Sequence, residues 1–258
     1  MKLIVILILF FTLPGCSQQT KLDKLILQLR SSDFGDVYEA KDSIVNYGRD
    51  GIPRLIKLLR DTSFVKLKNT ADLIYPGAEE FYGHGWIVHY DIDWISERAA
   101  WLLEEITFQD FGYRDLSINE DSLMKLHLQD YQSYLQTGNH KVNFKDKTPR
   151  QQLLAFRQIL ADSVSKWWNT NQSNWTRFKT IKEGLLSSEE KLQGKMLQYL
   201  LYGKTACQEL TLESYQKDLK PLVQKIQRSK NSQARLAKSL LEENDFSWLK
   251  IKPQKTGS

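Results

Sequence analysis

The chain has 258 residues, of which 41% are hydrophobic and 26% charged, so it holds ample core for one elongated domain or two smaller ones. Its 36 Lys and Arg against 31 Asp and Glu give a formal charge of +5, without the recognition module that a nucleic-acid partner would require. The charge is uneven: residues 16–140 carry 13 basic against 20 acidic side chains, and residues 141–258 carry 22 against 11. Such asymmetry orients a molecule on a charged partner, or it coats solvated helix faces.

The first element is a leader. Lys2 supplies a positive charge, residues 3–11 are an unbroken apolar run, and Leu13-Pro14-Gly15-Cys16 closes it. A spanning helix needs about 18 or more apolar residues, so this run predicts an export signal and not a transmembrane helix. The ending resembles a bacterial lipobox, whose cysteine is lipidated and becomes the new N-terminus. That resemblance implies a lipoprotein signal peptide over 1–15, lipidation at Cys16 and a cell-envelope location anchored to a membrane by lipid. Ser17 stands where Asp would retain such a protein, which implies transfer to an outer membrane. Residues 16–20 are polar and read as a lipidated tether. With Cys16 acylated only Cys207 remains, so no intramolecular disulfide is available and stability must come from packing. No His neighbours Cys207 in sequence, and it is expected to be a small buried residue and not a nucleophile.

Helical spacing follows. Leu22, Leu25, Ile26 and Leu29 fall on one face, and Tyr38, Ile44 and Val45 continue less strictly. Gly48 and Gly51 break the pattern; Asp50 is a possible N-cap, and Pro53 suits the first turn of the next helix, around Leu55 and Leu58. Residues 62–91 are irregular, with short strands expected at 64–67 and 86–88. A helix over about 93–107 is predicted to turn Trp94, Ile95, Arg98, Ala99, Leu102, Leu103 and Ile106 inward, with Glu97, Glu104 and Glu105 outside and Asp91 or Asp93 capping it. Further runs start at Met124, Leu153, Leu185, Tyr215 and Leu236. Residues 251–258 read as a flexible tail.

Residues 40–48 followed by 51–59, a helix, a glycine break, a proline and a Leu-rich helix, resemble a HEAT-like helical repeat, as do residues 98–107. The segments 106–113 and 166–171 are similar to a tail found in bacterial HEAT-like envelope proteins. The resemblance implies an all-α, armadillo-type fold: a HEAT-like helical repeat stack, or α-α superhelix, with one long irregular loop insertion. The HEAT-like domain would span 21–175 and C-terminal helical repeats 176–250. Stacked hairpins of this kind present a concave binding surface.

The loop over residues 75–94 is the most unusual segment. Tyr82, His84, Trp86, Tyr90 and Trp94 read as partner-binding anchors, because Tyr and Trp bury much area and keep a polar handle. The alternative is a metal-dependent hydrolase using His84, His89, Asp91 and Asp93, although that spacing matches no metal motif. A small-ligand site would use Trp168 and Trp175, with Trp167 in the core. No phosphate loop, nucleophile elbow or Cys-His pair is present. The expectation is a non-enzymatic protein-binding or scaffolding module without cofactor or metal. A protein partner of immunity or inhibitor type would meet its acidic front half.

Overall fold

The chain is mostly helical throughout the described residues of the computed structural model, which are 15–70, 73–75, 78, 85–88, 90–112, 149–203, 207 and 209–243. Helix α1 (Gly15–Gln28) begins ahead of residues 16–20, so the segment read as a lipidated tether forms its first turns. Ser17-Gln18-Gln19-Thr20 contains no glycine or proline to stop it. Asp33 caps α2 (Phe34–Tyr47): its carboxylate accepts from the Gly35 N–H at 2.8 Å and the Asp36 N–H at 3.4 Å. Val37, Ala40, Ile44 and Val45 form the buried face of α2, and Gly48, at φ 51, ends it in a conformation that other residues rarely adopt. A single 3-10 turn leads into α3 (Ile52–Leu58), where Pro53 occupies the first turn. Its N-cap is Gly51, without a side-chain bond, so Asp50 does not cap it.

Helix α4 (Ile95–Thr107) is enclosed on nearly every side. Ile95, Ala99, Leu102, Leu103 and Ile106 are buried as periodicity predicts, but so are Glu97 and Glu104, which were expected outside. Both acids have internal partners. Glu97 pairs with Arg157, and Glu104 accepts from the Phe111 N–H at 3.1 Å. The N-cap position of α4 is Trp94 and makes no side-chain bond, so neither Asp91 nor Asp93 caps the helix.

The chain continues through α5 (Pro149–Asn171), α6 (Arg177–Leu186) and α7 (Glu190–Tyr202). A short turn, α8 (Leu212–Ser214), then passes through π-helical residues 215–219 into α9 (Lys220–Gln227), and α10 (Ala234–Glu243) follows. On α5 the buried positions are Arg157, Ala161, Val164 and Trp168, with Leu160 and Trp167 only partly covered. Of the face expected through Leu153, Phe156, Leu160, Val164 and Trp167, Val164 is buried, Leu160 and Trp167 are partly covered and pack on the core, and the side chains of Leu153 and Phe156 are not among those described. Helices pack with their sequence neighbours, α1 with α2, α3 with α4, α6 with α7 and α9 with α10. Contacts of α4 with α2 and α6, and of α10 with α7, join these pairs. At the α6–α7 contact Gly184 lets the helices approach: a Cβ there would meet Met196 Cγ at 2.6 Å.

Apolar side chains form two clusters. The first joins α1 to α5 and includes Leu22, Ile44, Leu55, Ile95, Leu103 and Val164. The second joins α6 to α10 through Ile181, Met196, Leu200, Tyr215, Leu219, Val223 and Leu240. Phe108, just past α4 at φ 59, belongs to the second cluster, with its ring edge-on to Tyr199 at 4.9 Å. Arg177 ties the halves by donating to the carbonyls of Ile106 (3.2 Å) and Val45 (3.3 Å).

The irregular region contains a minimal parallel sheet, β1 (Leu73–Ile74) and β2 (Trp86–Ile87), with Leu73 opposite Trp86 and Ile74 opposite Ile87. The strand expected at 64–67 does not form; Phe64 makes only an isolated bridge to Trp94. The helical run expected from Met124 and the tail over 251–258 lie outside the described residues.

Candidate functional site

The start of α4 is held by a polar network that uses the very acids read as metal ligands. Asp93 is fully buried. Its Oδ1 accepts from the Leu67 N–H at 2.8 Å and the Tyr75 hydroxyl at 3.2 Å, and Lys66 Nζ lies 3.3 Å from Oδ2. Asp91 Oδ1 accepts from the Asp93 N–H at 3.0 Å, and burial pushes the Asp91 carboxyl above the ordinary carboxylate range. Burial and the neighbouring Asp93 charge likewise push the Tyr75 phenol up. These carboxylates therefore act as acceptors for a buried backbone crossing, where unmatched N–H groups would be costly. Among the described residues, no group of three or more His, Cys, Asp or Glu side chains could hold a metal ion. His84 and His89, the imidazoles of the hydrolase reading, lie outside the described residues.

Arg98 completes this network. It is fully buried, and its guanidinium donates to four carbonyls: Ile92 at 2.6 Å, Leu29 at 3.0 Å, Ser31 at 2.7 Å and Val65 at 2.7 Å. It thereby binds the end of α1, the irregular segment and the entry to α4 to one point. Burial pulls its pKa down, opposed by the Asp93 charge. Beside it Arg157 is also buried, paired with Glu97 and stacked 4.5 Å from the centre of the Trp94 ring.

The five aromatic and histidine anchors expected in the loop separate sharply. Trp86 is 80% exposed. Tyr90 and Trp94 are 3% and 2% exposed, so they are core residues and not partner-binding ones. Tyr90 packs edge-on against Trp101 at 6.0 Å, and Trp94 sits between Phe64 and Arg157. Tyr82 and His84 lie outside the described residues, and the side chain of Cys16 is not among those described. Trp168 and Trp175, proposed as a stacking pair for a small ligand, are buried edge-on against each other at 6.0 Å, which removes that open platform.

Exposed Trp86 forms part of a cleft that the sequence did not reveal. About 560 Å³ of space lies between α2 and β2. Phe34, Tyr38 and Trp101 line one side; Leu73, Trp86 and Ile87 line the other. Ile87 is 67% exposed and Tyr38 50%. Lys41 lies 4.0 Å from the centre of the Trp101 ring and 3.2 Å from Glu105, so its charge is already balanced and the cleft is predominantly apolar. Tyr38 carried a usable signal: on α2 it stands out of phase with Val37, Ala40 and Ile44, which places an aromatic ring off the core face.

A smaller polar recess of about 180 Å³ involves Arg49, Trp175, Arg177, Cys207 and Glu209. Cys207 is buried, and burial together with the Glu209 carboxylate pushes its thiol up to about 12. At pH 8 such a thiol holds about one thiolate in ten thousand. Iodoacetamide is therefore expected to label Cys207 promptly in denaturant and negligibly in the native protein over an hour, as mass spectrometry of the intact chain would show. Rapid native labelling would contradict this description of the recess.

Comparison with known proteins adds no relative: no protein-family model, no curated protein and no solved structure matches this chain. Among the described residues, no helix is long and apolar enough to cross a membrane.

Proposed function

We propose that this chain is a lipid-anchored bacterial envelope protein whose HEAT-like stack of helical hairpins binds a protein partner, without catalysis, cofactor or metal. The observation that carries the binding role is the cleft bordered by Trp86, Ile87 and Tyr38. Large apolar side chains left this exposed around a concavity are the usual mark of an interaction surface. The partner offers an apolar segment, because among the described residues lining the cleft the one charged side chain, Lys41, is paired with Glu105. The leader and Cys16 support the envelope location by their resemblance to a lipobox. Anchoring through several acyl chains at Cys16 would hold the cleft near the membrane. An immunity or inhibitor role is the specific form of this reading.

The test is copurification of the full-length protein from its own envelope, for wild type and Trp86→Ala/Ile87→Ala. Both side chains are exposed, so stability is expected to stay within about 0.5 kcal/mol of wild type. A stoichiometric partner should be retained by wild type and bound at least about 30-fold more weakly by the double variant, the loss typical of a binding hot spot. Unchanged retention would exclude the cleft as the contact surface.

A further inference from the structure

Residues 215–238 contain seven Lys and Arg and a single acid, Asp218. Asp218 already accepts from Lys182 Nζ at 2.8 Å. Lys217, Lys225, Arg228, Lys230, Arg235 and Lys238 are all exposed. Helical spacing gathers them: Lys225 on α9 and Arg228 at its C-cap are three apart, Arg235 and Lys238 are three apart on α10, and Lys230 lies in the turn between. The opposite faces are fixed inward by Val223 and Ile226 on α9 and by Ala237 and Leu240 on α10. Among the described side chains two acids border this face. Glu190 of α7 is engaged by Ser232 at the turn, and Glu242 pairs with Lys238 at 4.0 Å, which leaves Lys225, Arg228, Lys230 and Arg235 as the exposed basic cluster.

From this placement we infer that the α9–α10 hairpin is a docking face for an anionic phospholipid bilayer. Charge alone would suit an acidic protein as well, but composition decides between them. Protein interfaces are enriched in aromatic anchors and depleted in Lys. None of the large exposed apolar side chains, among them Trp86, Ile87, Leu186 and Tyr202, belongs to α9 or α10. A headgroup layer needs only a cluster of four or more basic side chains, each contributing near the surface. The inference stands apart from the partner-binding cleft and does not require the acyl anchor. If that anchor is present, a second attachment through α9–α10 makes membrane association more stable than either alone.

The experiment sediments the full-length chain with phosphatidylcholine vesicles and with vesicles of phosphatidylcholine mixed with phosphatidylglycerol. Wild type is compared with Lys225→Gln/Arg228→Gln/Lys230→Gln/Arg235→Gln. The apolar leader contributes equally to both proteins, so the readout is the ratio of anionic to neutral binding. Wild type should prefer the anionic vesicles, and each residue replaced should reduce that preference about fivefold. About 1 M salt, with a screening length of about 3 Å, should abolish it. All four positions are exposed and Gln keeps helix propensity, so circular dichroism should be unchanged. Equal binding to the two vesicle types overturns the proposal, as does a variant that keeps the wild-type ratio. Binding to poly-glutamate without a vesicle preference also overturns it and assigns the face to acidic proteins. None of these outcomes bears on the Trp86 cleft, which the copurification tests separately.

Discussion

Replacing Arg98 with Met should lower the free energy of unfolding by about 3–5 kcal/mol, a loss as large as that from breaking a buried ion pair. Four carbonyls from three separate segments depend on this one guanidinium. A hydrogen bond to a charged group is worth about 1.5–3 kcal/mol, and a buried carbonyl left unpaired carries its own desolvation penalty. The full sum is not expected, because Ser31 and Val65 are only partly buried and their carbonyls can regain water. Arg98→Lys sharpens the test. An ammonium keeps the charge but cannot span four acceptors laid out around a planar fork, so its loss should fall between wild type and Met. Urea unfolding followed by circular dichroism measures both. If Arg98→Met lies within about 1 kcal/mol of wild type, the clamp does not hold the irregular segment to α1 and α4.

Much of the fold was legible because apolar spacing is a local signal. Ile44 and Val45 on α2, Pro53 in the first turn of α3, and the inward positions Ile95, Ala99, Leu102 and Leu103 follow directly from it, whereas Tyr38, read with the α2 face, is half exposed. The errors concentrate on charged and aromatic residues, whose placement depends on distant partners. Periodicity assigns Glu97 to solvent, yet Arg157, sixty residues away, holds it inside. Arg157 itself was invisible, because an arginine in an amphipathic helix reads as surface. Asp91 and Asp93 invite metal or capping roles by their type, but Asp93 accepts the Leu67 N–H of a segment passing beside it, and Asp91 accepts the Asp93 N–H. The aromatic loop shows the same limit. Trp86 and Trp94 are identical in chemistry and eight residues apart, but Phe64 and Arg157 cover one while nothing comparable among the described residues covers the other. The cleft combines Tyr38, Trp101 and Trp86 from three elements, so no single stretch of sequence could display it.

The Glu97–Arg157 pair gives the second large effect. Glu97→Ala or Arg157→Ala alone is expected to cost about 3–5 kcal/mol, since each removes one side of a buried, hydrogen-bonded ion pair. Arg157→Ala should be the more severe, because it also removes the stacking on Trp94 at 4.5 Å. The charge itself is not what the fold requires. Arg157 is buried, and burial pulls its pKa down against the opposing Asp91 carboxylate, the direction expected where a cation loses water. Glu97→Leu/Arg157→Met should therefore recover most of the loss, as apolar replacements of buried pairs are often neutral or stabilising. A double-mutant cycle built from the single and paired Ala variants should give a coupling of about 2 kcal/mol or more. A coupling near zero would mean that the two side chains are held independently. A Leu/Met variant no better than the Ala singles would show that the pair fixes the geometry of α4 against α5 in a way that apolar packing cannot replace.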